Sequence, residues 1–324
     1  MDFREIEEPI LRSPDDVKIK VSYVTVGGED MRMYREGDTY SKNGVAGYEM
    51  SGVITELGER AASQNFYVGQ RVSGTLIDFC GKCHFCRRKR EIYCSNTKER
   101  SGTLCEYLVW SVHQLAPLSE KVSDKLGALL EPVAVVLEAC ERMQLKAGDS
   151  VCIFGADFQG LMMVQLARLY GAYKITVVDP VKRRRSLARA LGADYTINPE
   201  EDTFENQLFQ ITEFNGFDAV AVTAGDVGIF NRSADFVARG GVLLLMTYYE
   251  LGQKLSADSL KFCFSGISVT SSYLYNLDKL ELAGRLLPTL DLESLVGLEF
   301  PFEQAISAYE AAKTGLYPRV AIKL

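Results

Sequence analysis

From residue 151 onward the sequence alternates short, uninterrupted apolar runs with amphipathic stretches, and few folds accept that pattern. The apolar runs are VCIFGA (151–156), KITVVD (174–179), FDAVAVTAG (217–225) and GVLLLMTYY (241–249). Between them, helical spacing marks 160–170, RRRSLARALGA (183–193) and FNRSADFVARG (230–240). A strand that is apolar along its whole length is buried on both faces. The alternation therefore predicts a parallel sheet covered by helices on each side, a doubly wound α/β domain.

The first 115 residues follow a different rule. Apolar and polar side chains alternate with short glycine-rich breaks in VKIKVSYV (17–24), SGVITELG (51–58), GQRVSG (69–74) and CEYLVW (105–110), which predicts a β-rich domain. LGALLEPVAVVLEACERM (126–143) marks the change to helical periodicity, and a helix over 302–315 with the strand RVAIKL closes the chain.

Charge narrows the function. Lys and Arg number 36 against 43 Asp and Glu, a formal net charge of -7, which disfavours the counterion release that drives nucleic-acid binding. No apolar run is long enough to span a bilayer, and the opening MDFREIEEP lacks the basic and apolar blocks of a secretory signal. A cytoplasmic protein with a small-molecule substrate, and with neither a nucleic-acid nor a membrane partner, is expected.

Four of the eight cysteines fall in CGKCHFCRRKREIYC. Cys80, Cys83, Cys86 and Cys94 follow C-x2-C-x2-C-x7-C, a spacing that folds four thiolates around one tetrahedral Zn2+. Such a shell leaves the metal no open position, so the site is structural. Arg87, Arg88, Lys89 and Arg90 offset its negative charge.

Together with GYEMSGVITELG (47–58), GTLCEYLVW (102–110), LLEPVAV (129–135), AGDSVCIFGA (147–156) and YPRVAIKL (317–324), this lobe makes the chain resemble the medium-chain dehydrogenase/reductase superfamily. The likeness is to its zinc alcohol dehydrogenase branch, of the sorbitol and threonine dehydrogenase type. It implies a GroES-like catalytic domain over 1–131 and 273–324 and a Rossmann dinucleotide-binding domain over 132–272. It also implies a homodimer or homotetramer, with the strand ISVTSSYLY (267–275) pairing across a two-fold axis.

The branch usually holds a second, catalytic zinc through a cysteine, a histidine and a later carboxylate or cysteine. Aligned on the resemblance, Gly27 takes the cysteine position, Glu29 that of the proton-relaying Ser or Thr, and Tyr48 that of the histidine. Arg32 stands where histidine is frequent, Glu49 is kept, and Glu131 matches the late carboxylate. Catalytic zinc needs about three good donors, and neither of the two histidines, His84 and His113, lies where it replaces the lost imidazole. Tyr48 is then expected to donate or accept the substrate proton, its pKa lowered by Arg32, with Glu29 or Glu131 relaying to solvent. Alternatively Tyr48 fills vacated space, while Glu49 pairs with a base such as Arg319.

The strand 151–154 runs into Gly155-Ala-Asp157-Phe-Gln-Gly160 and then a helix, the setting of a GxGxxG pyrophosphate site. Asp157 replaces the middle glycine. A carboxylate facing a phosphate costs on the order of 4 kcal/mol per charge pair at about 4 Å, unless it turns away. Asp179 ends the second strand, where an acid accepts the ribose hydroxyls and favours NAD(H) over NADP(H), although the following Lys182 to Arg185 would suit a 2'-phosphate. The resemblance adds Arg184 and Thr223 as cofactor contacts. The leading reading is a zinc-independent NAD(P)-linked oxidoreductase on a small polar alcohol or carbonyl, such as a sugar or cyclitol. A non-redox lyase or epimerase, or a non-catalytic binding subunit, stays open beside it.

Overall fold

The computed structural model describes residues 2–36, 44–100, 102–224, 227–247, 253–256 and 258–324, with Glu99 described by its backbone alone. Residues 225, 248 and 249, which the sequence assigns to strands, lie outside the described residues. The chain forms two compact units, Met1–Ala134 with Tyr275–Leu324, and Val135–Leu274.

The first unit opens on β1 (Asp16–Val26), helix α1 (Gly28–Glu36), β2 (Glu49–Leu57), α2 (Glu59–Ala62) and β3 (Arg71–Gly74). The cysteine lobe follows between β4 (Ile77–Asp78) and β5 (Lys98–Glu99), and β6 (Tyr107–Ser111) and β7 (Leu115–Pro117) lead to α3 (Asp124–Gly127) and α4 (Leu130–Arg142). Where the sequence suggests one helix over 126–143, two form. Pro132 lacks an N–H and is tolerated only in a helix's first turn, so α4 starts at Leu130.

The second unit carries β8 (Ser150–Phe154), α5 (Phe158–Leu169), β9 (Lys174–Val178), α6 (Lys182–Ala190), β10 (Tyr195–Ile197), α7 (Phe204–Ile211) and β11 (Phe217–Val222). Helix α8 (Val227–Ser233), β12 (Val237–Leu245), α9 (Ser259–Ser265) and β13 (Ser268–Ser271) complete it. All neighbours in the sheet β10-β9-β8-β11-β12-β13 are parallel. The order reverses between β8 and β11, and in open α/β sheets ligands bind outside the carboxyl ends of the strands at such a switch point. Val151, Cys152, Ile153, Val220, Ala221 and Val222 are fully buried, which is why these strands read as unbroken apolar runs. Residues 237–240, expected to be helical, instead begin β12, because Val237 pairs with Phe217 and extends the ladder.

The chain then returns through α10 (Leu277–Leu286), β14 (Val296–Pro301), α11 (Ala305–Lys313) and β15 (Arg319–Lys323). The first sheet runs β14-β15-β1-β2-β3-β7, with β6 also on β1. Strand β1 is long because it serves three partners: β2 along its length, β6 at Asp16 to Lys20 and β15 at Tyr23 to Val26. Ile19, Val24, Met50, Ile54, Leu108 and Trp110 fill one core beside it. Met31 of α1 and Ala308 and Tyr309 of α11 pack with Val26 and Val320 in another. No helix among the described residues is long and apolar enough to cross a membrane.

Candidate active site

The cysteine lobe gathers its four sulfurs within 4.8 Å of one another, and among the described residues it is the one group of His, Cys, Asp or Glu so arranged. Zn–S bonds of about 2.3 Å in a tetrahedron set sulfurs about 3.8 Å apart. The distances here are 3.9 Å from Cys80 to Cys86, 3.5 Å from Cys83 to Cys86 and 3.5 Å from Cys94 to Cys80. The backbone N–H of Lys82 draws the Cys80 thiol down to about 6. The site fits a four-thiolate metal without further adjustment.

A second polar centre lies at one end of the first sheet. Thr25 of β1 is directly opposite Glu49 of β2, and Arg319 opens β15 on the other side of β1. Glu49 is fully buried. Arg319 donates to it from Nε at 3.0 Å and from Nη2 at 2.9 Å, and the Thr25 hydroxyl donates to its second oxygen. The carboxylate is thus pinned from two strands, and the pairing of Glu49 with Arg319 anticipated above is present.

Gly27 follows β1 into α1, where its N–H donates to Asp30 at 2.9 Å. A Cβ at residue 27 would stand 2.8 Å from the Tyr48 hydroxyl and 3.0 Å from both Glu49 Oε1 and Arg319 Cζ. Tyr48 therefore turns its hydroxyl inward, into the space that a side chain at 27 would enter. Burial and the charge of Glu49 push its pKa well above the ordinary value, and Arg319 only partly offsets them.

That direction corrects the expected role of Arg32. Helix α1 places Glu29 and Arg32 one turn apart, and Arg32 donates to Glu29 from Nε at 2.8 Å and Nη2 at 2.6 Å. Its charge is spent there, and the cation acting on Tyr48 is Arg319.

Two further acids face the centre. Asp30 accepts from Gly27 and, at 3.4 Å, from the Tyr309 hydroxyl, and burial pushes it up to about 8. Glu131 sits in the first turn of α4, where the helix dipole favours a carboxylate, yet burial and the charge of Glu49 raise it to about 8. The Tyr275 hydroxyl lies beside Glu131 and Thr75 without a hydrogen bond of normal geometry. Tyr275 and Tyr309 carry no local motif, and sequence reasoning missed both.

In the second unit Gly155, at φ +110°, leaves β8 at the switch point. A Cβ there would meet the Thr223 hydroxyl at 2.3 Å, and one at Gly160 would meet the Gly155 carbonyl at 2.0 Å. Strand, turn and helix thus approach as closely as a pyrophosphate cradle requires. Asp157 caps α5: its φ of -73° is unstrained, and its carboxylate accepts the Gly160 N–H at 2.9 Å. Asp179 is buried, accepts from the backbone N–H groups of Ala156 and Val181 at 2.8 Å each, and lies 3.8 Å from Arg184.

Comparison with known proteins gives two family matches along the chain. The family model of the alcohol dehydrogenase GroES-like domain matches residues 13–120, and that of zinc-binding dehydrogenase matches 160–289. The chain belongs to the zinc-type medium-chain dehydrogenase/reductase family. L-threonine 3-dehydrogenase of Pyrococcus horikoshii is 28% identical over 322 residues, covering 93% of this chain and 90% of that protein. D-arabinitol dehydrogenase 1 of Uromyces fabae is 29% identical over 267 residues, covering 80% and 75%. A Clostridium scindens protein assigned as a zinc-binding dehydrogenase superposes with a TM-score of 0.90 at 27% identity, covering 98% of this chain and 93% of its own.

As a medium-chain dehydrogenase/reductase, the chain is an NAD(P)-linked alcohol oxidoreductase whose family uses zinc and a nicotinamide dinucleotide. The close approaches at Gly155 and Gly160 fit such a cofactor. Asp157 brings to the cradle a charge of the same sign as the phosphates.

Proposed function

We propose that this dehydrogenase interconverts a small polar alcohol, of the sugar or polyol class, and its carbonyl form without a catalytic zinc, using NAD(H) and a single structural zinc at Cys80, Cys83, Cys86 and Cys94. The observation that carries the reading is the commitment of the donors at the second polar centre. Gly27 has no side chain, Glu49 is held by Arg319 and Thr25, and the Tyr48 phenol resists ionisation. That leaves the carboxyls of Glu131 and Asp30, and among the described residues no third His, Cys, Asp or Glu gathers with them as the four cysteines do, so this donor set does not fit Zn2+.

The same groups supply the proton chemistry. A nicotinamide dinucleotide held at Gly155, Gly160 and Asp179 would supply the hydride acceptor or donor. Tyr48, staying protonated, donates a hydrogen bond to the substrate oxygen, and that bond strengthens as negative charge develops there. Glu131 exchanges the proton: in oxidation its carboxylate takes the hydroxyl proton as the adjacent carbon loses hydride, and in reduction it returns that proton to the new alkoxide. With Glu131 at about 8, the protonated form that reduction needs prevails at neutral pH. Asp179 supports NAD(H), because a buried carboxylate at this position repels a 2'-phosphate, and Arg184 at 3.8 Å offsets that charge only in part. Polyol and threonine dehydrogenases among the relatives support the substrate class.

Metal analysis with a polyol and keto-sugar screen tests the proposal. Turnover at about one zinc per chain, cut at least 100-fold in Tyr48→Phe and Glu131→Gln, is expected. A second zinc whose removal abolishes turnover, or unchanged turnover in Tyr48→Phe, would overturn it.

We also propose a homodimer built on β13, the end strand of its sheet. Val269, Tyr273, Leu260 and Phe264 are 50%, 60%, 66% and 83% exposed along this edge, and an open strand pairs readily with a second copy. Sedimentation showing a monomer at micromolar concentration would refute this.

A further inference from the structure

The cradle at the end of β8 already holds negative charge of its own. Two backbone donors around the turn are spent on carboxylates of the chain: Ala156 N–H on Asp179 at 2.8 Å and Gly160 N–H on Asp157 at 2.9 Å. The first belongs to the strand end. The second sits on the helix terminus that receives a pyrophosphate in this type of fold, where unpaired N–H groups and the helix dipole attract anions.

Glycine at the middle position of the fingerprint serves close approach of backbone to phosphate. At Asp157 the backbone is extended, with φ -73° and ψ -171°, so any residue adopts it without strain. What aspartate changes is therefore volume, charge and side-chain contacts, the hydrogen bond from the Gly160 N–H among them. All three act at the point where the phosphates arrive, and all three vanish in a glycine variant.

We propose that Asp157 is a built-in competitor for the cofactor pyrophosphate, occupying the α5 terminus in the free protein and giving way when the dinucleotide binds. The site then holds its cofactor weakly and exchanges it fast, since affinity differences between related complexes lie mostly in dissociation rates. The aspartate takes part in no bond-making step, and its effect is on how tightly the cofactor is held. The inference rests on the family's use of a nicotinamide dinucleotide and is independent of whether a catalytic zinc is present.

Calorimetric titration of the full chain with NADH, alongside thermal unfolding without ligand, tests it on wild type, Asp157→Asn and Asp157→Gly. Asparagine keeps a helix cap and removes the charge, whereas glycine removes both. The expected result is affinity rising at least tenfold in Asp157→Asn and further in Asp157→Gly, with a lower melting temperature in Asp157→Gly alone. Loss of thermal stability without any gain in affinity would show a cap and nothing more, and would overturn the proposal. Folded variants that bind NADH no better than a non-binding wild type would overturn it equally. Neither outcome touches the zinc-independent mechanism, which is read from metal content and Tyr48→Phe turnover.

Discussion

The Tyr48 hydroxyl stands 2.8 Å from the point where a Cβ at residue 27 would lie, so the glycine and the tyrosine are complementary parts of one packing arrangement. Reintroducing a side chain at 27 forces the phenol, Arg319 or Glu49 to move. Gly27→Ala is expected to cost about 1–3 kcal/mol, the usual range for overpacking a core. In a Tyr48→Phe background the cost should shrink, because the clashing oxygen is gone. A double-mutant cycle by urea unfolding reads the coupling, which is about 0.5 kcal/mol or more for side chains in contact. Additive costs would show that the two residues are independent.

The Arg319 to Glu49 pair should behave as a buried charge pair whose halves cannot be separated cheaply. Arg319→Leu leaves a fully buried carboxylate that keeps the Thr25 hydroxyl but loses its cation, and a loss of about 3–5 kcal/mol is expected in chemical denaturation. Glu49→Gln keeps the Thr25 bond and should cost less. Equal costs would place the stabilisation in packing.

Stability should decline as pH rises through the neutral range. Asp30 and Glu131 move from ordinary values of 3.8 and 4.5 to about 8 in the folded protein. Below the ordinary values both states hold these protons; between those values and about 8 the folded state keeps protons that the unfolded chain releases. Folding free energy is therefore lost over that window and levels off above it, with a slope of up to about 1.4 kcal/mol per pH unit for each proton retained. Glu131→Gln should flatten the slope by one proton's share. Unfolding curves from pH 5 to 9 on both proteins, in about one-unit steps, check this, and parallel slopes would contradict it.

Zinc content should respond to the cysteine lobe alone. Cys80→Ser is expected to lower zinc from about one per chain toward none and to reduce the melting temperature, since a structural zinc site contributes folding energy outright. Undiminished zinc with an unchanged melting temperature would contradict this.

The α/β unit was legible because strands buried on both faces cannot alternate, and Val151 to Ile153 and Val220 to Val222 advertise that burial directly. The four cysteines were legible because the spacing of metal ligands is local. Helix α1 was not. Its segment holds two glycines, and its shape depends on the Gly27 to Asp30 cap and on Met31 packing near α11, the latter a contact made far along the chain. Tyr275 and Tyr309 join the polar centre through tertiary packing for the same reason. The direction of the Tyr48 shift is not legible in the sequence, because Arg32 reads as available there and only the helix pairs it with Glu29. Asp157 was recognised as a departure, while its turn onto the Gly160 N–H is a choice of rotamer that no one-dimensional pattern records.

Arg319 lies in β15, whereas the strands it neutralises and completes, β1 and β2, precede the whole Val135–Leu274 unit in the chain. During synthesis the α/β unit is therefore on hand and free to fold while Glu49 still lacks its cation. The catalytic unit cannot bury that carboxylate at low cost until translation has passed residue 319 and the strand has cleared the ribosome. In the growing polypeptide, the Val135–Leu274 unit can thus assemble its sheet before the Glu49 carboxylate meets its cation.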